Sequence, residues 1–303
     1  MEAPFGLFRC DTINLTDMIK VIINADDFGK NPVVNQEIEA ALWADLITST
    51  TIMANSQYLP EVKRVVNELS DRKSFGVHLN ITEGRSLTNS PVLKKAGIID
   101  ENGFFVKEHN FESRLYDELV KEAVTQEWDA QVNEVLTQGI EISHVDGHHH
   151  CHTWYGFTDC LVTVMERYKI KKVRNCYVSP VKTIKERVID GVSECLMTMH
   201  LLDASKDMKM NRVLSTIRYR DDKIHYREKT SGYKKTNYFD AYETVLGMTG
   251  ARALDCFVNN GETIELMCHP GHPNYRDEYE MIKEDKLGIR TNPNISLINY
   301  NEL

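Results

Sequence analysis

Short β-branched runs alternate with longer amphipathic segments along this chain, and that alternation limits the folds available to it. The first run, IKVIINA, is nearly continuously apolar, which is typical of a strand buried on both faces. The turn-like DDFGKN follows it, and VVNQEIEAALWADL then has the wider apolar spacing of a helix. Further strands are predicted at 47–54, 74–81, 142–146, 171–178 and 263–269, and further helices at 58–69, 112–138 and 157–168. Strand followed by helix, repeated, predicts an α/β fold with a mostly parallel sheet, either open or closed as a barrel.

The 303 residues are 42% apolar and 27% charged, which is typical of a folded globular protein. Residues 1–17 show no clear period, so we interpret them as an extension or leader and 18–303 as a single domain. No run approaches the ~20 apolar residues of a membrane helix, and no signal-peptide pattern is present, which favours a cytoplasmic location. The seven cysteines form no CxxC, which indicates reduced thiols rather than a disulfide framework.

The formal net charge of −9 argues against binding to nucleic acid through the whole surface. Residues 206–235 are the exception, because ten Lys or Arg there outnumber four Asp or Glu. Tyrosines interleave with these charges, as in some single-stranded nucleic-acid binders, but acidic residues interrupt the run and favour a solvated surface. A rim that touches a polar or sugar substrate is a second, minor alternative. We therefore expect a small-molecule or oligosaccharide substrate, with neither a nucleic acid nor a membrane as partner. The sequence leaves the oligomeric state open, a homodimer included.

Unusual polar residues follow four of the predicted strands. Asp26 and Asp27 come after the first strand, His78 closes the third, HVDGHHHCH at 144–152 follows the fourth, and His269 closes TIELMCH. Parallel α/β folds bind their ligands at the carboxyl ends of strands. The sequence therefore predicts that these side chains meet at one rim.

The histidine run is the strongest local indication of a metal. Crowded imidazoles repel one another when protonated, whereas a divalent cation stabilises their neutral forms. In an extended segment His144, Asp146, His148, His150 and His152 share one face, and in a helical segment His148 and His152 form an i,i+4 pair. Both geometries remain open at this level.

The motifs indicate hydrolytic metal chemistry rather than covalent or nucleotide chemistry. No GxSxG, Walker A or GxGxxG pattern occurs, and Cys268 beside His269 should face the opposite side of its strand and belong to the core. One Asp and two His, with open positions for water and substrate, is a frequent plan of a hydrolytic metal centre. Of the two carboxylates Asp26 and Asp27, one can bind the cation and the other can act as a base.

The motifs IINADDFG, TSTTIMAN, GVHLNITEG, HVDGHHHCH and ELMCHPG occur in the order found in YdjC-like carbohydrate deacetylases. Over about residues 18–300 the chain resembles that family, which includes chitooligosaccharide deacetylases. The resemblance implies a distorted (β/α) TIM-like barrel of the polysaccharide-deacetylase type. It also implies removal of acetyl groups from N-acetylated sugars with one divalent ion, Mg²⁺ or Zn²⁺.

The resemblance also implies roles for individual residues. Asp27, His78 and His148 match metal ligands, Asp26 a general base and His269 a general acid. Behind them, His144, Asp146 and Arg174 match supporting positions. One departure is Gly147, where many bacterial members carry Ser, so the hydroxyl of that serine is missing here.

Three other functions fit parts of the pattern. A non-catalytic protein that binds metal and carbohydrate would need neither Asp26 nor His269. A metal-dependent phosphoesterase should show more ligands and more Arg or Lys in these motifs. A ferrous oxygenase is compatible with the HxD spacing of His144 and Asp146, but such enzymes are normally jelly rolls.

Overall fold

A computed structural model describes residues 18–107, 116–179, 220–249, 254 and 258–303 of the protein. Within these ranges seven strands form one sheet in which every pairing is parallel. The strands are β1 (Ile19–Phe28), β2 (Ser49–Ile52), β3 (Ser74–Leu79), β4 (Val145–Gly147), β5 (Tyr238–Ala241), β6 (Thr263–Cys268) and β7 (Ile295–Leu297). The helices include α1 (Pro32–Trp43), α2 (Leu59–Leu69), α3 (Pro91–Lys95), α4 (Glu118–Thr137), α5 (Tyr155–Tyr168), α6 (Tyr242–Thr249) and α7 (Glu278–Lys283).

Strand β1 is the centre of the sheet, and its buried apolar run explains why. The sheet order is β4-β3-β2-β1-β6-β5, and β7 pairs with the first residues of β1. Because β6 occupies one edge of β1 along most of its length, β2 and β7 share the other edge at different heights. The sheet thus curls into an incomplete barrel with helices outside, which confirms the predicted α/β class and the distorted TIM-like barrel.

The predicted strand at 171–178 is wrong in extent. Only single bridges occur there, from Val173 to Val145 and from Lys172 to Lys234. Beyond them the side chain of Asn175 donates to the backbone carbonyls of residues 236 and 237, and the carbonyl of Val178 accepts the amide of Phe239. The sequence-based prediction also missed β5 and β7, which are four and three residues long.

Side-chain caps mark the starts of α1 and α4. Asn31 accepts hydrogen bonds from the amides of Val33 and Val34 at the start of α1, where Pro32 is the first helical residue. Asp117 caps α4, so the helix predicted over 112–138 begins at Glu118 in the described chain. Residues 112–115, like 1–17 and 206–219, lie outside the described residues.

The described part of the basic segment contains a core residue. Residues 220–229 are helical, and the Tyr226 side chain is fully buried with its hydroxyl donating to the carbonyl of Arg174. Tyr226 therefore supports the site from behind and is not an exposed platform for bases. None of the described helices is long and apolar enough to cross a membrane. The four described cysteines are free thiols, and Cys268 is buried in the core as predicted.

Candidate active site

The end of β1 places two carboxylates side by side. The pairing of β1 with β2 shifts register between Ala25 and Phe28, and Asp27 within this bulge has a φ of 73°. Few non-glycine residues adopt that conformation, and such outliers concentrate at functional sites. The bulge lets both Asp26 and Asp27 approach His78 instead of facing opposite sides of the sheet.

Three residues from three strand ends form a candidate metal centre. Asp27, His78 and His148 each offer a ligand atom, and these atoms lie within 4.8 Å of one another. Oδ1 of Asp27 is 2.8 Å from Nδ1 of His148 and 3.4 Å from Nε2 of His78. All three side chains are buried. The structure thus brings together the three predicted ligands.

The donor set fits a divalent cation. Asp27 Oδ1 is buried and has no partner in hydrogen-bond geometry, although His148 Nδ1 is close. A buried carboxylate oxygen without a hydrogen bond is costly unless a cation binds it. Burial alone would raise the pKa of Asp27, but the neighbouring charge of His148 holds that pKa well below its usual range. One carboxylate and two imidazoles match zinc and also suit other divalent ions.

Asp146 fixes the orientation of His78. Its Oδ1 lies 2.6 Å from His78 Nδ1, and its Oδ2 accepts a hydrogen bond from Thr51. Because Nδ1 is bonded to Asp146, Nε2 is the nitrogen that faces Asp27, and it would bind a cation once its own proton is displaced. Burial lowers the pKa of His78, but the charge of Asp146 outweighs it and raises the pKa to about 10.

The guanidinium of Arg174 joins three carboxylates behind the metal centre. It donates to both oxygens of Asp26 at 2.7 and 2.6 Å, to Glu265 at 2.9 Å and approaches Asp146 at 2.7 Å. The Arg174 side chain is fully buried. Burial would raise the pKa of Asp26, yet the charge and hydrogen bonds of Arg174 hold it well below the usual range. Asp26 is therefore an oriented and ionised carboxylate.

Glu265 and Tyr300 complete this charge cluster. Burial raises the pKa of Glu265 to about 7, against the opposing charge of Arg174. The hydroxyl of Tyr300 donates to Glu265 Oε2 at 2.5 Å. A proton on Glu265 would reduce the excess negative charge around Arg174, and the tyrosine hydroxyl supplies a second donor.

His269 follows β6 and is contacted by two side chains that come shortly after it in the chain, Tyr275 and Glu278. The carboxylate of Glu278 accepts the backbone amide of His269 at 2.5 Å and lies 3.8 Å from its Nδ1. Tyr275 stacks on the imidazole with ring centroids 4.6 Å apart. Burial lowers the pKa of His269, but Glu278 and the charges of Asp26 and Asp27 outweigh it and raise the pKa. His269 is therefore biased toward its protonated form.

The histidine run adopts neither geometry considered from the sequence. Strand β4 ends at Gly147 and a 3₁₀ segment, His148–Thr153, follows. Within it His149 and His150 have left-handed φ values of 51° and 54°. The His148 and His149 rings remain adjacent, with centroids 4.0 Å apart, whereas the His150 and His152 centroids are 6.4 Å apart. His148 faces the candidate metal centre, whereas His152 turns to Cys176, with Nε2 3.3 Å from the sulfur.

His144 contacts Tyr300, a member of the charge cluster around Arg174. Its ring stacks on Tyr300 with centroids 3.6 Å apart, and its Nδ1 is 2.8 Å from the hydroxyl of Ser143. His144 is linked to Arg174 through two side chains: Tyr300, on which it stacks, and Glu265, which accepts hydrogen bonds from both Tyr300 and Arg174. Asp146 and Arg174, in contrast, contact the predicted ligand His78 and base Asp26 directly.

The sequence reading missed four charged residues around the site. Two are Lys30 and Glu83, on the partly exposed side of the candidate metal centre. Lys30 Nζ lies 3.2 Å from Asp27 and 2.9 Å from Glu83. The others are Glu265 and Glu278. Glu83 and Glu265 stand inside the motifs GVHLNITEG and ELMCHPG, so their place in those motifs was a usable signal. Glu278 had none, because it reaches His269 from a separate helix.

Comparison with known proteins identifies the family. A family model described as YdjC-like protein matches residues 20–294. The chain belongs to the YdjC-like family. This confirms the resemblance seen in the five sequence motifs.

Curated relatives of this YdjC-like chain carry the name carbohydrate deacetylase. The one from Vibrio cholerae is 35% identical over 152 residues, which cover 50% of this chain and 57% of the relative. The chain thus spans little more than half the length of that relative. The one from Halalkalibacterium halodurans is 28% identical over 290 residues, which cover 89% of this chain and 97% of the relative.

A solved structure shares the fold. The crystal structure of an Enterococcus faecalis protein named for cellobiose-phosphate cleavage superposes with a TM-score of 0.65. The two chains are 23% identical, and the match covers 94% of this chain and 98% of the other. This YdjC-like chain therefore has the architecture of that protein.

Proposed function

We propose that this YdjC-like protein is a metal-dependent carbohydrate deacetylase that hydrolyses the acetamide of an N-acetylated sugar. One observation carries the proposal. The ligand atoms of Asp27, His78 and His148 converge within 4.8 Å beside a second carboxylate, Asp26, whose two oxygens both accept hydrogen bonds from Arg174. A structural metal site has no need of such an additional oriented carboxylate.

Asp27, His78 and His148 would hold the divalent ion. Bound there, the ion would polarise the acetamide carbonyl, lower the pKa of a water and stabilise the negative charge of the tetrahedral intermediate. The proton transfers of the reaction would be performed by side chains of the protein. They must take up one proton from water and deliver another to the departing nitrogen.

Asp26 is the proposed base. Its Oδ1 already accepts hydrogen bonds from Arg174 and from Asn24 Nδ2 at 2.8 Å, while Oδ2 accepts from Arg174. Oδ2 therefore keeps a lone pair that can accept the proton of water. Since Arg174 lowers the pKa of Asp26, the carboxylate is ionised before the reaction but is a weak base.

His269 is the proposed acid. Glu278 and the two aspartates raise its pKa, so the imidazole is available in its protonated form. It would donate that proton to the sugar nitrogen as the carbon–nitrogen bond breaks. Acetate and a free amino sugar result, with the proton taken by Asp26 balancing the one that His269 gives.

The proposed substrate is an N-acetylglucosamine oligosaccharide, such as a chitooligosaccharide. The family resemblance supports this choice, and the names of the curated relatives support a carbohydrate in general. Acetate release from a panel of acetylated sugars of increasing length tests the identity of the sugar and its chain length.

Replacement of the base tests the mechanism. Asp26→Asn should keep the bound metal and lose about 10²–10⁴-fold in turnover, because general base catalysis contributes that much. Acetate release from N-acetylglucosamine oligomers measures turnover, and metal content is measured on the same samples. Asp71→Asn, at an exposed aspartate, is the matched control and should retain full activity.

Two outcomes would contradict the proposal. Undiminished acetate release from Asp26→Asn would exclude Asp26 as the base. A wild-type protein that binds a divalent ion and a glycan yet releases no acetate from any N-acetyl sugar would instead be a binding protein.

A further inference from the structure

The two histidines of the candidate metal centre are held in matching ways. His78 directs Nε2 toward Asp27, and its Nδ1 faces the carboxylate of Asp146 at 2.6 Å. His148 directs Nδ1 toward Asp27 at 2.8 Å, and its Nε2 faces the carboxylate of Glu83 at 2.9 Å. Each imidazole therefore has one nitrogen at the centre and the other on a carboxylate.

Glu83 is held in place by its own connection. The side chain of Asn80 accepts the amides of Thr82 and Glu83 at 2.9 and 3.1 Å, and Asn55 Nδ2 donates to the carbonyl of Glu83 at 3.0 Å. This turn begins directly after β3, the strand that carries His78. The backbone of Glu83 is thus fixed relative to one of the proposed ligands.

The carboxylate of Glu83 is also fixed. Lys30 Nζ lies 2.9 Å from its Oε2 and 3.2 Å from Oδ2 of Asp27, so one ammonium links Glu83 with a second proposed ligand. The Glu83 side chain is 46% exposed, whereas Lys30 is 12% exposed. The ammonium occupies the space between the two carboxylates, which argues against a second divalent ion there.

We propose that Glu83 is a positioning residue of the metal centre, which accepts the Nε2 proton of His148 and so presents Nδ1 of that histidine to the cation. A metal-binding histidine generally gives its other ring proton to a carboxylate or carbonyl, which fixes the tautomer and strengthens the ligand. The inference rests on the proposed function, because it takes His148 as a ligand. It adds that the partly exposed Glu83 carboxylate supports the His148 imidazole as the Asp146 carboxylate supports that of His78.

Binding of Co²⁺ or Zn²⁺ to the metal-stripped full chain tests this role. Glu83→Ala removes the acceptor and should weaken binding by about 10–100-fold, the usual effect of losing such a support. Glu83→Gln keeps an acceptor oxygen for His148 and should weaken binding less. Glu101→Gln, an exposed glutamate in the same connection between β3 and α4, is the control and should bind as the wild type does.

The Co²⁺ absorption spectrum separates support from ligation. If Glu83 only positions His148, Co²⁺-loaded Glu83→Gln keeps the band positions and intensities of the wild type and one ion per chain. Altered bands, or two ions per wild-type chain, would overturn the proposal because Glu83 would then be a ligand. If Glu83→Ala does not fold by circular dichroism, Glu83→Gln and its spectrum still decide the matter.

Metal binding by the wild type and by Glu83→Ala distinguishes the role of Glu83 from the existence of the metal centre. Wild-type protein that binds one ion while Glu83→Ala binds it equally well overturns the role of Glu83 and leaves the centre intact. Wild-type protein that binds no divalent ion overturns the metal centre and the role of Glu83 with it.

Discussion

Arg174 donates to both carboxylate oxygens of Asp26, at 2.7 and 2.6 Å, from a position with no solvent exposure. The same guanidinium bonds Glu265 through Nε and lies 2.7 Å from Asp146. Asp146 in turn holds His78. A single cation therefore orients the proposed base and, one contact further, a proposed ligand.

Removal of that cation should destabilise the fold. Arg174→Gln leaves three buried carboxylates without their shared partner, and breaking a buried ion pair on one side costs about 3–5 kcal/mol. Unfolding in urea measures the free energy of unfolding. Arg64→Gln is the matched control, because Arg64 bonds Glu39 at the exposed surface and should contribute far less. Equal losses in the two variants would show that the buried cluster is not a source of stability.

The sequence predicted the parts of the fold that rest on long apolar runs. β1, β3 and β6 are buried along their whole length or nearly so, and each appeared as a continuous β-branched or apolar segment. β5 and β7 were missed, although they are no shorter than β2 and β4, which were predicted. The segment around Arg174 was predicted as a strand over 171–178, but its backbone forms only single bridges, to residues 145 and 234.

The candidate site was predictable in its composition but not in its geometry. Polar residues at strand ends identified Asp26, Asp27, His78 and His269, and the structure brings the first three together. The direction of each imidazole in the histidine run depends on two consecutive left-handed residues, His149 and His150. Histidine enters this region more often than most residues, but that preference does not locate the two positions within a run of histidines. Glu278 and Tyr300 reach the site from distant segments, so nothing local to the motifs indicates them.

The missing side chain at Gly147 has a structural counterpart in His152. A Cβ built on Gly147 would lie 2.6 Å from Nδ1 and 3.1 Å from Cβ of His152. Gly147→Ala should therefore lower the free energy of unfolding by about 1–3 kcal/mol, the typical cost of overpacking. Gly232→Ala is the control, because nothing lies within 4 Å of the added carbon. Chemical unfolding of both variants checks the difference, and equal stabilities would mean that His152 moves aside at little cost.

Glu278 should set the alkaline limit of activity. The pKa of His269 is raised above its usual value, with Glu278 the first contributor against the effect of burial. An acid must be protonated to act, so activity is present below the pKa of His269 and is lost as the pH rises through it. Glu278→Gln keeps the hydrogen bond to the His269 amide but removes the charge, so the pKa should fall and the alkaline limb should move to lower pH.

The pH profile of kcat/KM measures this shift, since it reports the groups of the free enzyme. Glu280→Gln, on the exposed side of the same helix, removes an equal charge and should leave the alkaline limb in place. An unchanged limb in Glu278→Gln would mean that a group other than His269 is the acid.

Metal removal should abolish activity, and the order in which ions restore it follows from the donor set. Two imidazole nitrogens and one carboxylate favour Zn²⁺ over Mg²⁺, because magnesium prefers an all-oxygen shell and keeps its waters. We expect the chelator-treated protein to release no acetate and to regain activity at far lower concentrations of Zn²⁺ than of Mg²⁺. His78→Ala and His148→Ala should each fail to recover with either ion, whereas an exposed-site variant such as Asp71→Asn should recover fully. Restoration by Mg²⁺ at equal or lower concentration would show that oxygen donors dominate the bound state, and activity that survives chelation would exclude the metal from the reaction.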